Sequence, residues 1–224
     1  MIQPLEKPQK LKLKKVLTVA NVLSQKVVRL AFTGEWFQAF KKPQDRGMWF
    51  VWGTSGSGKS TFLMMLAKAF AKLNLRVLYN LLEEETDDTD FIDRVEICGM
   101  NEVDGMFETV SYTLEELDYY LSKKTTRAKV VFIDSATYMT RSFEDVKSLV
   151  KRHKNLIFVF SGHAEGKNPR TDFEKSLRFH AKMKIYVDGF LALCQGRTVG
   201  PNGGRFVIYK EGFEKINGVN PELN

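Results

Sequence analysis

Eight consecutive residues, Gly53-Thr54-Ser55-Gly56-Ser57-Gly58-Lys59-Ser60, fit the pattern G-x-x-x-x-G-K-[ST] in full and narrow the possible folds more than any other feature. At ordinary residue frequencies a chain of this length meets that pattern by chance roughly once in a hundred tries. The flanks decide its meaning. Before it, Met48 to Trp52 is apolar without interruption, the mark of a strand buried on both faces. After it, Phe62, Met65, Leu66, Ala69, Phe70 and Leu73 recur at helical spacing. A glycine-rich bend between such a strand and such a helix turns successive backbone N–H groups inward around an anion, and the helix presents its positive end to the same anion. In that arrangement the Lys59 ammonium reaches the β and γ phosphates of a nucleoside triphosphate, and the Ser60 hydroxyl takes Mg²⁺. Thr61 follows on the same first turn, so residues 53–61 form the expected nucleotide-binding set. A Gly/Ser-rich linker, the competing interpretation, has no reason to sit between these two periodicities.

The rest of the chain repeats the alternation. Residues from Val16 to Phe40 show a mostly helical pattern, with Trp36, Phe37 and Phe40 as core, and Lys41 to Arg46 as a surface loop. Arg76 to Leu82 predicts a second buried strand, and the acidic stretch Glu83 to Asp93 leads into a helix and a short strand at Phe107 to Val110. Thr113 with Glu116 is a capping box for a helix through Leu121. Lys129 to Ile133 predicts a strand ending at Asp134, Ser142 with Asp145 opens a helix to about His153, and Leu156 to Phe160 is a further strand. A polar loop (Gly162 to Asp172), a helix near Phe173 to Phe179, and strands near Lys184–Val187, Phe190–Cys194 and Arg205–Tyr209 complete the pattern. The expected class is α/β: a mainly parallel sheet flanked by helices, with antiparallel strands at the C-terminal end.

The 224 residues suit one such domain over residues 16–224, behind a basic arm at 1–15 that carries Lys7, Lys10, Lys12, Lys14 and Lys15. The arm reads equally as a solvated tail or as a contact for nucleic acid or another subunit. It has no apolar stretch behind it and so is not a secretory signal, and nothing in the chain reaches transmembrane length. A cytoplasmic protein without a membrane partner is expected. Cys98 and Cys194 fit no metal or redox spacing and read as small core residues, and His153 and His180 as structural or surface. A net charge of +7 is compatible with a polyanionic partner without requiring one.

A triphosphate cradle needs an acidic residue at the end of a neighbouring strand to support the metal, and Asp134, after Val130-Val131-Phe132-Ile133, is the candidate. Hydrolysis also needs a group to orient or deprotonate water. Glu83 stands at the end of the strand following the first crossover, where ligands collect in open α/β sheets. Local composition does not choose between it and Glu84 or Glu85.

In this order the motifs resemble the RecA-like ATPase superfamily, in particular its core-only branch near RadA and the motor domain of DnaB-type replicative helicases. The resemblance spans roughly residues 48–210. It rests on the P-loop, Val-Leu-Tyr-x-x-x-Glu-Glu at 77–84, Val-Phe-Ile-Asp-Ser at 131–135, Phe-Ser-Gly-His at 160–163, and Gln195-Gly196-Arg197 with Gly200-Pro201-Asn202-Gly203. It implies ATP and Mg²⁺ as cofactors, Glu83 as the catalytic glutamate, His163 as a γ-phosphate sensor, and Arg197 as an arginine finger supplied to a neighbouring subunit. It implies a ring or filament with its active site between subunits, and DNA, single-stranded, as partner. The contacts would come from the loop after the fourth strand, Lys167 and Arg170, with Lys175 and Arg178 on the next helix. That run also holds Glu165, Asp172 and Glu174, and a solvated loop fits it as well. Gln195 stands where the helicase branch often has Lys, and one extra residue separates Arg197 from the Gly-Pro pair. With no helicase N-terminal domain or primase-like extension in the sequence, a core-only ATPase of replication or recombination is the expectation. Its rivals are a nucleotide-switched loading protein with slow hydrolysis and a P-loop small-molecule kinase.

Overall fold

The computed structural model describes residues 13–200 and 202–218, so most of the basic arm lies outside the described residues. The strands in chain order are β1 (Gly47–Gly53), β2 (Val77–Leu81), β3 (Phe107–Val110), β4 (Val130–Asp134), β5 (Ile157–Glu165), β6 (Asn168–Pro169), β7 (Met183–Asp188), β8 (Leu191–Gly196) and β9 (Gly204–Val207). They pair in the order β3-β2-β4-β5-β1-β7-β8-β9, with β6 attached to β5 alone. From β3 to β7 every neighbour is parallel; β8 and β9 close the sheet antiparallel. This is the expected α/β architecture.

Period-two alternation sends each central strand's side chains to two separate apolar layers. Trp49, Val51, Tyr79, Phe132, Val159 and Ile185 face one layer. Phe50, Trp52, Leu78, Val131, Ile133, Phe158 and Phe160 face the other. The helices are α1 (Val19–Leu23), α2 (Gly34–Phe40), α3 (Lys59–Lys72), α4 (Thr89–Ile97), α5 (Leu114–Ser122), α6 (Ala136–Met139), α7 (Phe143–Arg152), α8 (Asp172–His180) and α9 (Lys210–Asn217). Helix α3 packs Phe62, Leu63, Leu66 and Phe70 into the first layer. Helices α5, α7 and α8 supply Leu117, Leu121, Val146, Leu149 and Leu177 to the second. The Thr113–Glu116 capping box and the Ser142 cap form as the sequence suggests. Trp36 stacks on Phe206 at 4.0 Å, placing the N-terminal aromatic cluster in the core. Cys194 is buried and Cys98 half-buried, and both are free thiols.

Three segments depart from the sequence reading. The helical stretch from Val16 to Phe40 is interrupted: α1 buries no residue, and the chain then runs extended, with Leu30 N donating to Pro43 O (2.8 Å) and Asp45 N to Val28 O (3.2 Å). Extension delivers Leu30 and Phe32 to the core, and it converts the supposed surface loop at 41–46 into the other half of this bridge. The polar loop at 162–172 is instead a hairpin: β5 continues to Glu165 and returns as β6, pairing Ala164 with Pro169 and Glu165 with Asn168. Trp52 Nε1 donates to Lys167 O and the Tyr186 hydroxyl to Gly166 O, each at 3.1 Å, so the turn is fastened to the sheet rather than loose. Helix α9, which the sequence pattern does not signal, docks through buried Phe213.

Candidate functional site

The carboxyl ends of β1, β2, β4 and β5 meet where the P-loop begins. Gly56 (φ 72°) and Gly58 (φ 91°) occupy the left-handed region that disfavours a side chain, which explains glycine at both positions. A Cβ on Gly58 would also lie 2.9 Å from Phe190 Cδ1. The Ser57 hydroxyl donates to Thr54 O (2.8 Å), and Phe190 N donates to Ser57 O (3.1 Å), bracing the loop from both sides. Helix α3 starts at Lys59. A cavity of about 420 Å³ opens there, bounded by Thr54, Ser55, Gly56, Gly58, Lys59, Ser60 and Thr61 on one side and by Glu83, Glu84, His163 and Phe190 on the other. Lys59 is only 9% exposed. Among the described residues it takes part in no ion pair. A buried ammonium that no carboxylate directly pairs is unfavourable until an anion joins it.

The acidic residues are sorted by their partners. Glu84 is ion-paired with Arg94 of α4. Glu85 lies outside the cavity lining, in the turn its N–H closes with Asp88. Glu83 faces the cavity with Oε1 3.7 Å from His163 Nε2. His163 stands opposite Gly53 in the parallel register of β1 and β5, which sets it beside the first residue of the loop.

Asp134 is buried outside the cavity lining, accepting hydrogen bonds from the Tyr79 hydroxyl (2.7 Å) and from Ser161 Oγ. Burial, reinforced by the neighbouring Asp134 carboxylate, pushes the Tyr79 phenol well above its ordinary value, so it remains a donor. Of the two residues expected at the metal, Ser60 lines the cavity and Asp134 does not; their oxygen donors are of the kind Mg²⁺ takes. Among the described residues no group of three or more His, Cys, Asp or Glu is placed to hold a metal. A cation here would therefore complete its shell with phosphate oxygens and water, as Mg²⁺ does in phosphate sites.

Glu174 is a site residue that sequence reasoning counted only as a charge diluting a basic loop. It is fully buried and accepts from His163 N (2.7 Å), Thr171 N (2.8 Å) and Thr171 Oγ1 (2.8 Å). Thus the cap of α8 also fixes the backbone of His163. The Thr171-x-x-Glu174 spacing is a capping box and was the available signal. A Cβ on Gly162 would fall 2.7 Å from Glu174 Oε1, which explains that glycine. Phe190 was also missed; as one aromatic in an apolar run it carries no local signal.

The other sequence candidates do not join the cavity. Arg197 follows Gly196, which pairs with Met183 and through it with Trp49, four residues before Gly53. At about 3.3 Å per residue this places it roughly 13 Å along the sheet, at the end opposite its own P-loop. The four expected DNA contacts do not form one basic patch. Lys175 is paired with Asp172 (2.9 Å), while Arg178 donates to Asn168 Oδ1 (2.9 Å) and lies over the Trp52 ring. Lys167 fastens the hairpin through its carbonyl. Arg170 alone enters a cavity near the site, with Arg141 and His163.

A strand, a glycine loop and a helix around a cavity at the carboxyl ends of a mainly parallel sheet define a RecA-like P-loop ATPase fold. A family profile for the AAA domain matches residues 41–167, more than half the chain, and the protein belongs to that family. The matched span holds the P-loop, Glu83, Asp134 and His163. Among solved structures the chain is similar to the flagellar accessory protein FlaH from Methanocaldococcus jannaschii, with a TM-score of 0.60 and 14% identity over 80% of this chain and 93% of that one. At that identity the likeness concerns the fold. No curated protein sequence matches. No helix among the described residues is long and apolar enough to cross a membrane.

Proposed function

We propose that the protein is a Mg²⁺-dependent ATP hydrolase that works as an oligomer on DNA in replication or recombination. The observation that carries the hydrolase reading is the Glu83–His163 pair facing buried Lys59 across one cavity. The backbone N–H groups of residues 53–61 hold the phosphates, and Lys59 neutralises charge that grows on them in the transition state. Glu83 takes the proton of the attacking water, and His163 holds the γ-phosphate side of that water in line. Mg²⁺, when bound by Ser60 and, through water, by Asp134, supplies further charge neutralisation on the phosphates. Arg197 stands at the end of the sheet opposite its own P-loop and serves a neighbour's nucleotide, completing the site across a subunit boundary. The net charge of +7 supports a polyanionic partner, and Arg170 beside His163 is the cation best placed to link such a partner to the site. Phosphate release measured with and without single-stranded DNA tests this reading, alongside a sizing run with an ATP analogue. Faster turnover and a larger, strand-bound species are expected. A monomer indifferent to DNA, or one that moves the γ-phosphate to a nucleoside, would overturn it.

A further inference from the structure

At the amino ends of β1 and β7 lies a second cavity, of about 790 Å³, lined by Arg29, Arg46, Lys182, Lys184 and Arg197. Among the described residues no Asp or Glu lines it. Asp45 is paired with Lys129 at 3.3 Å and only partly offsets the repulsion felt by Lys182. The two lysines find only neutral partners: Lys182 donates to Gln44 Oε1 (3.0 Å) and Lys184 to Ala181 O (2.9 Å). Burial, then Arg46 and Arg197, hold the Lys182 ammonium below its ordinary value; burial, then Arg178 and Arg197, do the same to Lys184. Cations gathered this way repel one another until an anion enters.

The rim adds a second kind of group. Phe179 lines the cavity yet is 79% exposed, with its ring edge-on to His180 at 5.2 Å. His180 is itself stacked on Phe143 at 4.5 Å, so the exposed ring stands on an anchored support. An inorganic anion has no use for an exposed aromatic face, and an acidic peptide brings a stacking ring only where it happens to carry an aromatic residue. A single strand of nucleic acid offers phosphates and unstacked base faces together.

We propose that this cavity binds single-stranded nucleic acid, with Lys182, Lys184 and Arg46 on the phosphodiester backbone and Phe179 stacked on a base. The proposal rests on the reading that the chain engages DNA, and it places the contact at the end of the sheet opposite the hairpin at 163–172. Arg197 shares the lining, so a neighbouring copy's triphosphate is the competing source of phosphate, and the test separates the two.

The test is fluorescence anisotropy of a labelled oligothymidylate with the full chain across a salt series. Phe179→Ala should weaken binding roughly five- to a hundred-fold, the span of one lost base stack. Lys182→Ala with Lys184→Ala should reduce the slope of log affinity against log salt by about 1.4, and the corresponding pair of arginine substitutions should keep it. Should the double lysine variant fold poorly, Phe179→Ala on the surface still decides the matter. Binding by the wild type that none of these changes alters overturns this site and leaves the DNA reading standing. No binding by the wild type overturns both. Unaltered strand affinity with lost ATP-dependent self-association assigns the cavity to a second copy and also overturns the proposal.

Discussion

The two ends of one sheet hold cations under opposite conditions. At the carboxyl ends, Lys59 shares its cavity with Glu83, Glu84 and His163, so an anion bound there meets both signs of charge. At the amino ends, Arg46, Lys182, Lys184 and Arg197 share theirs with no acid among the described residues. A site of mixed sign can hold phosphates and also accept a proton from water beside them. A site of one sign can only attract and retain. The difference separates chemistry from grip within a single fold, although both ends gather cations.

The largest effect that sharpens this contrast is at the mixed-sign end. Lys59→Ala should bring phosphate release to background, because a buried charge aimed at the triphosphate is lost. Next, Arg197→Ala should lower kcat by about 10³-fold while leaving ATP binding in place, since an arginine finger acts on the transition state of a neighbour's nucleotide. Mixing it with Glu83→Gln subunits should restore part of the rate, and no rescue on mixing would break the assignment in trans. Glu174→Ala should destabilise the fold by about 1–3 kcal/mol in chemical denaturation, because the His163 and Thr171 N–H groups lose their one fully buried acceptor. The smallest effect belongs to the single-sign end: Phe179→Ala should change stability by less than about 0.5 kcal/mol, as for surface positions generally, whatever it does to strand binding.

The same contrast explains what could be read in the sequence. The P-loop is contiguous, and the strand and helix beside it bury whole faces, so both the motif and its setting show in local pattern. The strand that ends at Asp134 was legible because it is apolar up to its last residue. Glu83 could not be told from Glu84 without knowing that Arg94, ten residues on, captures the latter. The stretch from Val16 to Phe40 misled because its apolar spacing suits a helix, whereas pairing Arg29 with Gln44 is decided by the sheet edge it meets. The hairpin at 162–172 read as a loop because its polar side chains conceal a turn fastened by Trp52 and Tyr186 from other strands. The basic cavity draws residues from position 29 to position 197, a grouping only the sheet order creates.

The most direct measurement for the central claim compares Glu83→Gln with the wild type in two assays, equilibrium ATP binding and single-turnover phosphate release. The account predicts unchanged affinity and a release rate lower by about 10²–10⁴-fold, the usual worth of a general base. Release at the wild-type rate with ATP bound would contradict it and move the water-activating role away from the Glu83–His163 pair.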